Sequence, residues 1–324
     1  MKEIFKERIG YKGNIKEIST RICQDYSLGE FKSNQLIPMG YEDFNFILKT
    51  SKGKYVVKIF AKFRDLGDCK RYIGVIEKAI KSKIATPLLL KSKQGYLYVT
   101  NVNQTKLRLC VIQFINGKTL FELKEKLNNK EIRFLAHQAS LINSIDLKPK
   151  LIYDEWAITN FLKEFKKKGK NLSQGDLRIL EPLIEKFKNL EIDKLPHCFV
   201  HGDIIATNVM KDNAGNLWII DFAVSNYYPR IQELAVLACN LFFDEDNKNK
   251  TKENLEIALK EYQKVIPLTR KELESLPIYI ELAHATHLLS ANFEKVSKDN
   301  NTKENEYWLN QGRKGLKQDI LILQ

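Results

Sequence analysis

The chain has 324 residues, of which 44% are hydrophobic and 29% charged. That is enough for two globular domains and excludes a disordered chain. The net charge of +13 comes mainly from lysines scattered along the sequence, with no arginine cluster interleaved with aromatics; it reads as a solvated surface, and no specific nucleic-acid partner is expected. No apolar run approaches the roughly 20 residues that span a bilayer, and "MKEIFKERIG" lacks the apolar core of a signal peptide, so a cytoplasmic protein without a membrane partner is expected. Cys23, Cys69, Cys110, Cys198 and Cys239 stand far apart with no C-x-x-C pair, which argues against a zinc site or a disulfide framework.

In chain order, the first 30 residues read as helical, with the apolar residues of "NIKEISTRICQDYSL" near helical spacing. "FKSNQLIPMGYEDFNFILKTSKGKYVVKIF" reads as strands with a turn at "SKGK". "CKRYIGVIEKAIKSKI" reads as a helix, then "TPLLLKSKQGYLYVTNV" and "KLRLCVIQFI" as further strands with a turn at "SKQG". After "NGKTL" the texture turns helical. "EIRFLAHQASLINSI", "DEWAITNFLKEFKKK" and "LRILEPLIEKFKNL" are expected helices, with Pro182 in the first turn of the last or kinking it. "HCFVHGDIIATNVMKDNAGNLWIIDF" is strand, loop and hairpin. "PRIQELAVLACNLFF" is expected to open a helix at Pro229, and "TRKE" has capping-box spacing before "LESLPIYIELAHATHLL". There is no internal repeat. The pattern predicts an α+β chain, with a smaller β-rich N-terminal lobe over residues 1–114 and a larger, mostly helical C-terminal lobe over 115–324. The joint falls near "QFINGKTL", where Gly117 allows a bend.

The densest chemistry lies in "HGDIIATN" and the hairpin that follows. With the hairpin centred between Ala214 and Gly215, Asn208 and Asp221 face each other across it. A carboxylate beside a carboxamide oxygen suits a hard cation such as Mg2+. Asp203 sits in the loop leading into the hairpin, close enough to accept a proton without being a ligand. A metal pair with a second carboxylate beside it is the layout that phosphoryl transfer needs. Asp221 also follows the apolar run "LWII", a setting that disfavours an aspartate without a partner.

"HGDIIATNVMKDNAGNLWIIDF" resembles the catalytic and metal-binding segment of the aminoglycoside phosphotransferase family, a branch of the kinase-like fold that includes choline kinases, methylthioribose kinase and one type of homoserine kinase. The shared pattern is H-x-D-x-x-x-x-N, then a hydrophobic strand and an Asp. The resemblance spans roughly residues 35–245. It implies a bilobal protein-kinase-like fold, ATP (with GTP as the alternative donor) and Mg2+ as cofactors, Asp203 as catalytic base, and Asn208 and Asp221 as metal ligands. His201 then braces the loop. "RIQELA" resembles the helix beneath that loop, with Glu233 in a structural role where an Asp is common.

A kinase-like N-lobe implies a lysine on a strand, and "YVVKIF" supplies Lys58, which shares a strand face with Val56 and Phe60. Its partner is expected on the following helix. There Ile73, Ile76, Ile80 and Ile84 form a stripe, and Glu77 falls about 40° from Ile73, facing inward. The phosphate-covering turn falls at "PMGYEDFNF" with Gly40, although Asp43 and Phe44 interrupt the family pattern. "VIQFINGKTL" resembles the hinge, with the backbone of Gln113 to Ile115 meeting the adenine. "DFA" stands where "DFG" is usual.

The implied activity is an O-phosphotransferase, or small-molecule kinase, whose partners are a nucleotide and a small hydroxyl substrate. An aminoglycoside acceptor, and with it antibiotic resistance, is one outcome; a homoserine- or choline-type metabolite kinase is another. A non-catalytic nucleotide-binding protein of the same fold is a further alternative, followed by a protein kinase, which the missing G-x-G-x-x-G and A-P-E signatures argue against, and a nucleic-acid binder, supported only by charge. A polycationic acceptor would want carboxylates, and "FFDEDN" offers Asp244, Glu245 and Asp246, with Glu281 further on.

Overall fold

The computed structural model describes residues 2–37 and 42–318. Its two compact units are residues 1–118 with 211–220, and residues 119–210 with 221–324. The first unit thus ends within "QFINGKTL", four residues past the lobe boundary expected at 114, and includes the hairpin after the polar loop.

In the first unit, α1 (Lys2–Ile9) precedes α2 (Ile15–Asp25). Asn14 caps α2 by accepting from the Lys16 N–H at 2.9 Å. Its buried residues Ile18, Ile22 and Cys23 join Phe46, Leu48, Val57, Ile59 and Leu109 in one core. The sheet begins with β1 (Phe31–Ile37), β2 (Phe44–Thr50) and β3 (Gly53–Ile59). Period-two alternation buries Phe44, Phe46 and Leu48 of β2 on one face. Helix α3 (Leu66–Lys81) starts three residues before the expected Cys69, because Asp65 and Asp68 form a capping box ahead of it. Strands β4 (Leu89–Leu90), β5 (Tyr98–Val102) and β6 (Thr105–Gln113) complete an antiparallel sheet of order β1-β2-β3-β6-β4, with β5 also paired to β6. Lys58 lies mid-sheet, opposite Asn45 of β2 and Cys110 of β6.

Strand β7 (Gly117–Thr119) follows. A Cβ on Gly117 would lie 2.2 Å from the Lys211 carbonyl oxygen. The glycine is therefore needed for close approach of two backbones, not for the expected bend.

The second unit is mostly helical: α4 (Leu120–Leu123), α5 (Asn129–Asn143), α6 (Phe161–Lys168) and α7 (Gln174–Lys188) come first. The helix expected from Asp154 begins only at Phe161. Asp154 accepts from the Trp156 N–H at 2.9 Å, and Asn160 Nδ2 donates to the Asp154 carbonyl at 2.7 Å, so local polar groups hold a turn instead. Pro182 lies in the interior of α7, not in its first turn. Strand β8 (His197–Val200) leads through the polar loop to β9 (Val209–Asp212) and β10 (Leu217–Ile219), which form a sheet of order β10-β9-β7. The turn closes with Asp212 N–H donating to the Asn216 carbonyl at 2.9 Å, and Gly215 takes φ +85°. That centres the hairpin on Ala214, so the register is one residue off the expected one and Asn208 stands opposite Ile220 rather than Asp221.

Strand β11 (Asn226–Pro229), unforeseen from the sequence, pairs antiparallel with β8. Pro229 ends this strand, where its missing N–H costs no ladder bond, and α8 (Ile231–Leu237) opens after it, followed by a π-helical turn at Ala238–Phe242. Helices α9 (Lys248–Tyr262), α10 (Arg270–Lys298) and α11 (Lys303–Lys317) close the chain. The Thr269–Glu272 capping box starts α10, as "TRKE" predicts. Leu276, Tyr279, Ile280 and Leu282 of α10 are fully buried. Among the described residues, no helix is long and apolar enough to cross a membrane, and all five cysteines are free thiols, four of them buried.

Candidate active site

The polar loop is built on a buried carboxylate. Glu233 of α8 accepts from the His201 N–H at 2.5 Å and from the Gly202 N–H at 3.2 Å. Gly202 takes φ +81°, where a glycine is at ease. Glu233 is itself steadied by Asn143 Nδ2 at 3.5 Å; Asn143 also donates to the Phe199 carbonyl and accepts from the Tyr262 hydroxyl at 2.7 Å. Burial pushes the Glu233 carboxyl up to about 7, against the hydrogen bonds from His201 and Gly202. His201 is fully buried, with its ring centroid 4.4 Å from that of Phe222, and its Nδ1 accepts from the Asp203 N–H at 3.2 Å. An accepting Nδ1 puts the ring proton on Nε2. This is the bracing role expected of His201, and the structural role expected of Glu233.

The brace leaves the Asp203 carboxylate pointing at Asn208, whose Nδ2 donates to Asp203 Oδ2 at 2.6 Å and to the Asp203 carbonyl at 3.1 Å. The five-residue spacing therefore does bring these two side chains together. Burial first, then the Asp154 and Asp221 carboxylates, push the Asp203 carboxyl well above the usual carboxylate range, against the Asn208 hydrogen bond. Asp221 lies just past β10 at φ +63°, a left-handed conformation rare for a residue with a Cβ, and its Oδ1 accepts from the Ala223 N–H at 3.3 Å. Among the described residues, no group of three or more His, Cys, Asp or Glu is arranged to hold a metal. The oxygen donors beside Asp203 are the Asn208 amide oxygen and the Asp221 carboxylate. An all-oxygen set with one or two carboxylates is the protein share of a Mg2+ site that also takes water and phosphate.

Two further carboxylates that sequence reasoning missed bear on Asp203 electrostatically. Asp154 and Glu304 both act on its charge. Each travels with a tryptophan: Asp154 caps the turn carrying Trp156, and Trp308 follows Glu304 one turn along α11. Both indoles meet His287, with ring centroids 6.3 Å away for Trp156 and 5.0 Å for Trp308. Of the four carboxylates offered for a polycationic acceptor, Asp244, Glu245 and Glu281 are paired with lysines instead. Asp244 pairs with Lys126 at 2.9 Å, Glu245 with Lys314 at 2.7 Å, and Glu281 with Lys186 at 3.0 Å.

In the first unit, Lys58 is buried, and its carboxylate partner is not the expected Glu77. Its Nζ lies 3.3 Å from Asp43 Oδ2 and 4.9 Å from the centroid of the Tyr72 ring. Helix α3 turns Tyr72 towards Lys58, while Glu77, half-buried, makes no ion pair among the described residues. The signal for Asp43 was its place directly before β2, where it interrupted the family pattern. Gly40 lies outside the described residues. Of the hinge, the Gln113 N–H donates to the Leu88 carbonyl at 2.8 Å and its Oε1 accepts from the Leu88 N–H at 3.1 Å. The Gln113 N–H is thus not available to an adenine, a correction that follows from the pairing of β6 with its neighbour. The Ile115 carbonyl accepts from Gly117, and no acceptor among the described residues takes the Ile115 N–H.

Comparison with known proteins places the chain in a family. Residues 33–268 match the phosphotransferase enzyme family, APH. The homoserine kinase of Agrobacterium fabrum is 24% identical over 256 residues, covering 78% of this chain and 77% of that protein. The amicoumacin kinase hAmiN superposes with a TM-score of 0.68 at 17% identity, covering 98% of this chain and 96% of its own. The choline kinase LicA of Streptococcus pneumoniae does so with 0.62 at 16% identity, covering 94% and 98%. The fold is the mixed α+β, protein-kinase-like one that these kinases share. With the family match covering most of its length, the chain belongs to the phosphotransferase enzyme family.

Proposed function

We propose that the protein is an O-phosphotransferase that uses Mg2+ with ATP, or GTP as the alternative donor, and phosphorylates a hydroxyl of a small cationic acceptor. The observation that carries this reading is the Asp203 carboxylate, fixed by Asn208 on a loop braced by Glu233. Asp203 takes the proton of the attacking hydroxyl. Such a base contributes roughly a hundredfold to ten-thousandfold. Lys58 supplies positive charge for the nucleotide phosphates, and the Ile115 N–H is a donor for the adenine. Mg2+ held by the Asn208 oxygen and Asp221 would neutralise phosphate oxygens. Support for a nucleotide with a divalent cation on this fold comes from hAmiN, which was solved with AMP-PNP and Ca2+.

The acceptor class rests on Asp154, Glu304, Trp156 and Trp308. Carboxylates attract an ammonium group, and indole faces hold one by cation–π attraction. An amino alcohol carries both the cation and the hydroxyl. The homoserine kinase relatives and the choline kinase neighbour are named for acceptors of that kind.

The test is turnover by the purified protein with Mg2+-ATP and Mg2+-GTP on aminoglycosides, homoserine, choline, ethanolamine and methylthioribose. Turnover should appear with a cationic acceptor and vanish in Asp203→Asn, which should still bind nucleotide. Full activity in that variant would remove Asp203 as the base. Turnover of methylthioribose alone would remove the cationic acceptor.

A further inference from the structure

Lys58 and Asp43 form an ion pair away from water, with side-chain exposures of 6% and 4%. An ammonium enclosed in this way keeps its charge only with a partner, and its position is as good as that partner's. Asp43 is well held. Its Oδ1 accepts from the Ala61 N–H at 2.9 Å and from Arg64 Nε at 3.1 Å, while Oδ2 faces Lys58. Arg64 is tied in turn to Glu42. The two oxygens thus divide the work: one anchors the carboxylate to the chain leaving β3, and the other meets the ammonium. The Tyr72 ring closes a further side of Lys58. Glu77, which follows Tyr72 on α3, takes no part.

We propose that Asp43 is the positioning residue for Lys58: a carboxylate at the entrance of β2, rather than one on the helix after β3, fixes the lysine that holds the nucleotide phosphates. The inference rests on the reading of Lys58 as that lysine. It follows that nucleotide affinity depends on Asp43 through Lys58, and that α3 contributes a ring instead of a charge.

Asp43→Asn separates the two jobs, because the amide oxygen still serves Ala61 and Arg64 while the ion pair is lost. The experiment is a double-mutant cycle of Asp43→Asn and Lys58→Met, read as the calorimetric Kd for Mg2+-AMP-PNP, with Glu77→Gln alongside. Asp43→Asn should weaken binding by about tenfold in the native background and have no further effect beside Lys58→Met, since coupled neighbours are non-additive on that scale. Glu77→Gln should stay within about twofold. A loss of equal size in both backgrounds would mean a merely structural Asp43 and would overturn the proposal, as would a Glu77→Gln loss as large as that of Asp43→Asn. If Asp43→Asn does not fold, Asp43→Glu, which keeps the charge and moves it by one methylene, carries the same cycle. A native protein that binds no nucleotide would sink the reading of Lys58 itself, a result distinct from additivity in a protein that does bind.

Discussion

Glu233→Gln should change how the stability of the protein responds to pH. In the native protein this carboxyl is fully buried and its pKa rises from 4.5 to about 7. Below the unfolded value, both states carry a neutral Glu233. Between that value and about 7, the unfolded chain has ionised while the folded one still holds the proton, so stability falls as pH rises. The rise of about 2.5 units at ~1.36 kcal/mol each makes the loss ~3 kcal/mol, complete above about pH 7. A glutamine cannot ionise, so this loss disappears in the variant. The variant also brings its own cost. One of its two terminal atoms becomes an NH2 facing the His201 or Gly202 N–H, a buried mismatch worth ~1–3 kcal/mol at any pH. The assay is urea unfolding of both proteins from pH 4 to pH 8. The difference between them should move in favour of Glu233→Gln by ~3 kcal/mol as pH rises through that window. Asp203, whose pKa is raised as well, contributes the same sign to both proteins and cancels in the difference. A difference that stays flat would show that Glu233 is already ionised when folded, and would refute burial as the dominant influence on it.

Asp154→Asn and Glu304→Gln should each raise the KM of a cationic acceptor by roughly 5- to 50-fold, with the KM for nucleotide unchanged; equal effects on both substrates would point to general disruption instead. Gly117→Ala should lose ~1–3 kcal/mol in thermal unfolding, because the new methyl meets the Lys211 carbonyl oxygen 2.2 Å away; a native melting curve would show that β7 can shift. Asp221→Gly relieves a left-handed residue at φ +63° and should leave stability unchanged or raise it by up to ~1 kcal/mol, while Mg2+-nucleotide binding weakens; a stability loss with unchanged affinity would remove both parts of the argument.

The sequence by itself determined the features that depend on near neighbours. Period-two burial marked β2, and a capping box marked the start of α10. The five-residue gap from Asp203 to Asn208 was enough to predict their meeting, because a single turn closes it. That Lys58 shares a strand face with Val56 and Phe60 was enough to single it out as a lysine in need of a partner. The run from Asp154 to Asn160 was also a local question, but there the side chains outcompeted the helical pattern.

Only the tertiary structure decided which charges meet. Glu77 was the partner expected for Lys58 from the helical pattern, but Asp43 meets it instead, and the seating of α3 on the sheet put Tyr72 and not Glu77 against it. Asp244 looked available for a cation until the fold delivered Lys126 from 118 residues away. Asp154 and Glu304, 150 positions apart in the chain, came to act on the charge of one carboxylate in the same way. The reason is one of range. Caps, turns and strand faces are set by groups a few residues apart, whatever the rest of the chain does. An ion pair needs two side chains within about 4 Å, and for residues far apart in sequence that distance exists only once the hydrophobic core has chosen which segments to bring together.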